Sequence, residues 1–97
     1  MIIRVFQAQV QPGMHGDFER MSREVAIPQL QAQAGLIHLY FGTPMEETPD
    51  AFVMITMWKD LESLQGFTGK QWREAVLAPG EAQMLKSSSV RHYQMEA

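Results

Sequence analysis

The chain contains no cysteine. That absence excludes disulfides, thiolate metal sites and a cysteine nucleophile together, and it fits a cytoplasmic address. Excess charge of one sign is missing too: eight Lys and Arg are scattered among eleven Asp and Glu, so no basic stripe follows a phosphate backbone and nucleic acid is not an expected partner. Long hydrophobic runs are also lacking. The opening Met1-Ile2-Ile3-Arg4-Val5-Phe6 meets an arginine and then glutamines too soon for a signal peptide. No stretch approaches the roughly 20 apolar residues that span a bilayer, so no membrane association is expected. Glycine-rich phosphate loops, a serine nucleophile elbow and a dinucleotide fingerprint are all absent from the sequence. Three histidines spread over three elements have no ligand spacing, so the expected set of metals and cofactors is empty.

What is present is an ordinary soluble composition, 45% apolar and 20% charged, in 97 residues. That length gives a single domain over residues 1–97, and so short a chain would gain from a second copy covering an exposed sheet face. The organising stretch runs from Ala51 to Phe67. Seven of the eight residues from Ala51 to Trp58 are apolar, which predicts a strand buried on both faces. Asp60 is placed to cap a following helix, with Leu61, Leu64 and Phe67 returning to the core.

Around this centre the remaining elements fall into order. Ile2 to Gln11 alternates, with Ile2, Phe6, Ala8 and Val10 on one face and Ile3, Val5, Gln7, Gln9 and Gln11 on the other. Pro12-Gly13 breaks that strand, and Met14, Phe18, Met21 and Val25 recur at helical spacing. Pro28 predicts a kink or break, with the helix resuming over residues 29–34 and ending at Gly35. Leu36 to Phe41 is a second strand. A short polar loop makes it the antiparallel neighbour of the third. Lys70 to Leu77 predicts a further helix with Trp72, Ala75 and Val76 inward, stopped by Pro79-Gly80. Glu81 to Lys86 can form one turn, and Val90 to Met95 is the last strand. Strand, helix, strand, strand, helix, strand is the α+β ferredoxin-like order (βαββαβ), a four-stranded antiparallel sheet with its helices on one face. The other face carries Ile3, Val5, Val53, Ile55 and Met57, too apolar to leave in water, so two sheets are expected to meet as a homodimer.

These pieces resemble the antibiotic biosynthesis monooxygenase-like (ABM) family of the dimeric α+β barrel superfamily. The matching features are Pro12-Gly13 leading to Asp17-Phe18-Glu19, Ile27-Pro28 followed by Gln33-Ala34-Gly35-Leu36, and Phe52-Val53 through Trp58 into Leu61-Glu62-Ser63-Leu64. The resemblance implies a dimeric α+β barrel with one pocket per subunit between helices and sheet. Relatives oxygenate quinols or polyketide phenols without metal or flavin, some degrade haem, and others are isomerases. The asparagine and tryptophan of the haem-degrading branch fall by register at Phe6 and Phe67. The polyketide-oxidising branch's strand-ending tryptophan matches Trp58, whereas its asparagine and tyrosine positions hold Met54 and Leu64.

The resemblance therefore implies a cofactor-independent monooxygenase acting on a small apolar or aromatic molecule, phenolic, quinol-like or polyketide-like. Such chemistry needs a base that ionises the substrate and a dry pocket for the anion. His38 and His92 are the candidate bases, because an imidazole accepts a proton at neutral pH; His15, opening a helix beside Gly16, is expected to be exposed. Phe6, Met54, Trp58, Phe67 and Trp72 are the candidate substrate-binding wall, and Arg4, in phase with Phe6, could neutralise an anion. The competing readings are a non-catalytic or stress-associated binding barrel and a small-molecule isomerase. A cavity of a few hundred cubic ångströms touching a histidine would favour the enzyme; a pocket collapsed around Trp58 and Met54 would favour the binding protein.

Overall fold

The period-two alternation of the first strand decides which side of the sheet becomes the inside. In the computed structural model, which describes residues 1–96, β1 (Ile2–Val10) buries Arg4, Ala8 and Val10 on one face and leaves Ile3, Val5 and Gln9 half-buried on the other. β2 (Leu36–Gly42), β3 (Ala51–Trp58) and β4 (Leu85–Gln94) complete a four-stranded sheet in the order β2-β3-β1-β4, each neighbouring pair antiparallel. This is the ferredoxin-like fold. Its register sets Ile2, Arg4, Phe6 and Ala8 opposite Trp58, Thr56, Met54 and Phe52, all on one face.

β3 departs from the expectation of burial on both faces. Phe52, Met54, Thr56 and Trp58 are buried, whereas Ala51, Val53, Ile55 and Met57 are only half-buried, because every helix lies on one side of the sheet. β4 is longer than predicted and takes in Ser87-Ser88-Ser89, which pair with Gln9, Ala8 and Gln7 of β1. A 3-10 turn, Ala82–Met84, leads into it.

The helical layer begins with α1 (His15–Met21), passes through a π-helical turn, Ser22–Ala26, and continues as α2 (Ile27–Gln31). Pro28 has no N–H to donate back along the helix, and its ring crowds the carbonyl one turn earlier, so the preceding turn widens instead of the helix breaking. The extra residue rotates the apolar stripe. Val25, expected inward, is 46% exposed, while Ser22 is 2% exposed. Gly35, at φ +86°, turns the chain into β2 where a Cβ would collide with Ser63, and its carbonyl accepts from the Lys59 N–H at 2.8 Å.

Asp60 caps α3 (Leu61–Thr68) as predicted, its Oδ1 accepting from the Ser63 N–H at 2.8 Å. Leu64 is fully buried beside Trp58, Leu30 and Met54, whereas Leu61 is 38% exposed. Fully removing side chains of this size from water contributes about 1.5–3 kcal/mol each. A second cluster, Ala8, Val10, Phe18 and Phe52, fills the other end of the sheet.

Residues 70–78 do not form the expected helix. Gly69, at φ +79°, ends α3, and the carbonyls of Trp72 and Glu74 accept hydrogen bonds from Arg4 rather than from the next turn of a helix. The segment crosses the end of the sheet as an irregular strap.

Candidate functional site

Between the two apolar clusters the layers do not close completely. A cavity of about 160 Å³ remains. Its floor is the covered face of β1 and β3, with Phe6, Phe52, Met54 and Thr56; its roof is Phe18, Ser22, Ala26, Gln29 and Leu30; Phe41 and Phe67 stand at the sides. The mouth is formed by Val76, Leu77, Ala78 and Pro79 of the strap, two of them more than a third exposed.

The charged side chains lining the cavity, among the described residues, are Arg4 and Glu81. Both are 4% exposed. Arg4 donates through Nη1 to the Trp72 carbonyl at 2.6 Å and to His92 Nε2 at 2.9 Å, and through Nη2 to the Glu74 carbonyl at 3.0 Å. A guanidinium can only donate, so His92 must accept at Nε2 and carry its proton on Nδ1. Burial lowers the Arg4 pKa to about 10, which leaves the side chain cationic at neutral pH. Three of its five N–H groups are committed, which leaves Nε–H and one N–H of Nη2 without an acceptor among the described residues.

Glu81 owes its position to the Pro79-Gly80 pair. The Glu81 N–H donates to the Ala78 carbonyl at 3.0 Å across these two residues, with Gly80 at φ +82°, and Glu81 Oε1 accepts from the Ala78 N–H at 2.8 Å. The turn thus folds a carboxylate back over its own entrance. Burial raises the carboxyl pKa above its ordinary value, and the Ala78 N–H pulls it partly back.

The sequence-predicted residues divide sharply. Phe6, Met54 and Phe67 line the cavity. Trp58 does not: it is fully buried behind Phe67, with ring centroids 5.7 Å apart, and its Nε1–H donates to Thr56 Oγ1 at 2.9 Å. Trp72 sits in the strap outside the cavity, edge-on to His92 at 4.8 Å, with the Arg73 guanidinium 4.1 Å over its ring. His92 shares the covered face with Arg4 and stands one hydrogen bond behind it. Burial first, then the charges of Arg4 and Arg73, hold its imidazole below its ordinary pKa, so it is neutral. His38 pairs with Met57 on the opposite face and is exposed, 6.1 Å from the Tyr40 ring. The irregularity between Leu36 and His38 puts Leu36 and Leu39 inward and His38 outward, on the open face and away from the cavity. His15 Nε2 contacts Asp50 Oδ1 at 2.9 Å and the Pro49 carbonyl at 3.1 Å.

None of the three histidines lines the cavity. Sequence reasoning missed Glu81, whose signal was a carboxylate directly after a Pro-Gly turn that follows four apolar residues. It also passed over the lining contributed by Phe41 and Phe52. Among the described residues no three His, Cys, Asp or Glu side chains gather as a metal site, and no helix is long and apolar enough to cross a membrane.

Comparison with solved structures finds the same architecture repeatedly. A conserved protein from Methanosarcina mazei Go1 is 23% identical, with 99% of this chain and 94% of that chain covered and a TM-score of 0.77. SnoaB, a cofactor-independent oxygenase from Streptomyces nogalater, is 14% identical over 99% of this chain and 93% of its own, with a TM-score of 0.77. MhuD, in a crystal structure with two manganese protoporphyrin IX bound per active site, is 12% identical over 98% and 94%, with a TM-score of 0.71. At these identities the likeness establishes the fold. Comparison with curated proteins gives no significant match. The model of one family, antibiotic biosynthesis monooxygenase, matches residues 1–76, from β1 to within the strap. The chain belongs to the antibiotic biosynthesis monooxygenase family.

Proposed function

We propose that the protein is a cofactor-independent monooxygenase for a small phenolic, quinol-like or polyketide-like molecule, held under the helical layer in each subunit of a cytoplasmic homodimer. The observation that carries this reading is an apolar cavity of about 160 Å³ into which Arg4 brings a buried positive charge. A phenol that loses its proton becomes electron-rich enough to reduce dioxygen, and a dry, cation-bearing pocket favours that anion over its neutral form. For an anthrone the reaction balances without an outside reductant: the ring methylene and dioxygen give a carbonyl and water. Phe6, Met54 and Phe67 would wall the ring. His92, the candidate base on the covered face, would act through Arg4 by holding its guanidinium in place, whereas His38 faces away. The half-buried Ile3, Val5, Val53, Ile55 and Met57 on the open face support the dimer.

Oxygen uptake by metal-free protein supplied with menadiol or an anthrone tests the reading. Turnover above buffer, weakened in Arg4→Met, is the expected result. No acceleration across a panel of phenols would move the protein to the second reading, a non-catalytic barrel that binds a small apolar ligand, which the absence of a histidine from the cavity wall favours. Turnover without oxygen would instead indicate an isomerase.

A further inference from the structure

We propose that the cavity selects a hydroxyl-bearing ligand of one aromatic ring and refuses fused polycyclic ones, with the ring over Phe6 and Met54 and its oxygen toward the Arg4 end. The inference rests on the cavity being the phenol site and narrows that reading by ring number.

Three observations converge on a single ring. The first is capacity. An apolar cavity of about 150 Å³ stays dry and takes up a benzene-sized guest, whereas pockets that enclose drug-sized ligands run from about 300 to 1,000 Å³. At about 160 Å³ the chamber stands with the former.

The second is the length of the floor. The register sets Arg4 opposite Thr56, Phe6 opposite Met54 and Ala8 opposite Phe52. Phe18 and Phe41 pack against Phe52, with ring centroids 4.8 and 6.0 Å from its own. Between the charged row and this aromatic end lies one row of floor, Phe6 with Met54, and successive rows on one face of a strand are about 7 Å apart. One ring covers such a row. A fused second or third ring has to ride over the Phe52 row or leave through the mouth, past Val76 and Leu77.

The third is the chemistry of the wall. All five phenylalanines of the chain line this cavity, and neither tryptophan nor either tyrosine does. Phenylalanine presents ring faces and edges without a donor or an acceptor, which suits an aromatic guest. The buried cation is in the Arg4–Thr56 row, so the guest's oxygen belongs there and its apolar body toward Phe52.

The test is calorimetric titration under nitrogen with 4-methylphenol, 2-naphthol and 2-hydroxyanthracene. On an unrestricted apolar surface each added fused ring buries more area and strengthens binding about tenfold. Here 2-naphthol is expected to bind no more tightly than 4-methylphenol, and 2-hydroxyanthracene about tenfold more weakly. Phe41→Ala opens one side of the chamber and is expected to bind 2-naphthol about tenfold more tightly than wild type does. In wild type, 2-naphthol tighter than 4-methylphenol, or 2-hydroxyanthracene as tight, would overturn the assignment; so would a folded Phe41→Ala that gains nothing for 2-naphthol. Should the variant not fold, the wild-type series decides alone. Failure of all three phenols to bind is a different outcome, which removes the phenol reading of the cavity and this inference with it. One-ring binding with no oxygen uptake removes the monooxygenase reading and leaves the ring limit standing.

Discussion

The two faces of the sheet are built from the same strands in the same register, and they have opposite fates. On the covered face Arg4, Ala8, Val10, Phe52, Thr56 and Trp58 are all less than a tenth exposed. On the open face Ile3, Val5, Ile55 and Met57 are only half-buried, and Tyr40 and Tyr93 are 57% and 55% exposed. Apolar content does not separate them. What separates them is the spacing of α1, α2 and α3, whose stripes all return to one side. The covered face also carries the buried charge of Arg4, while the open face is apolar. One face therefore gives the chain its fold and chamber, and the other stays apolar and only half-buried.

The largest effect expected from this contrast is in the core. Leu64→Ala, at a site with no exposure, should cost about 3 kcal/mol in urea unfolding, whereas Ile55→Ala should cost about 1 kcal/mol in dilute protein. Equal losses at high concentration but not at low would show the open face being buried by association. Arg4→Met removes the donor that holds the Trp72 and Glu74 carbonyls and should cost about 2 kcal/mol. Its signature is faster amide exchange confined to residues 70–78; exchange rising equally through β2 would refute the picture of a strap tied at one point. Ile55→Glu puts a charge in the middle of the open face, for about 1 kcal/mol or less in the isolated subunit. Sedimentation should then give a folded monomer where wild type gives a dimer, and a wild type that is already monomeric at micromolar loading would dispose of the dimer.

The smallest effect is pH dependence, which comes from Glu81 in the turn over the cavity and His92 on the covered face. Glu81, raised by burial, stabilises the fold fully below its ordinary pKa of 4.5, and that contribution is lost as pH rises through the raised value. His92, lowered chiefly by burial and then by Arg4 and Arg73, has the reverse sign: its contribution is complete above 6.5 and lost as pH falls through the lowered value. Urea midpoints should decline less in Glu81→Gln as pH rises above the ordinary carboxyl value, and should decline less in His92→Gln as pH falls below 6.5. Parallel profiles for all three proteins would separate neither group from the rest of the molecule.

Much of this was legible in the residues because it depends on short periods. The alternation from Ile2 to Val10 and the Asp60 cap are local signals, and each is reproduced at its expected place, whereas the helix expected to run to Gly35 ends at Gln31 and Gly35 turns the chain into β2. The strap was misread because Trp72-Arg73-Glu74-Ala75-Val76 has helical spacing, while the carbonyls that would sustain a helix are taken by an arginine 68 residues away. No local pattern reveals such a partner. The site was legible by half: Phe6, Met54 and Phe67 follow from strand phase and helix spacing, whereas Trp58 and Trp72 were expected as walls because of their size. Their indole N–H and ring edges are satisfied by Thr56 and His92 instead. His38 faces outward through a one-residue irregularity in pairing, to which side-chain alternation is fully sensitive.

The widened turn at Ser22–Ala26 sets the chamber's ceiling with two of the smallest side chains, Ser22 and Ala26, where the backbone ring is largest. Capacity is thereby separated from cohesion. Exchanging Ala26 for a bulkier residue would shrink the space above a bound ring without touching Trp58, Leu64 or Val10, on which the fold depends. A lineage built on this frame can retune which guest it admits by altering one helical bulge and leave its foundations alone.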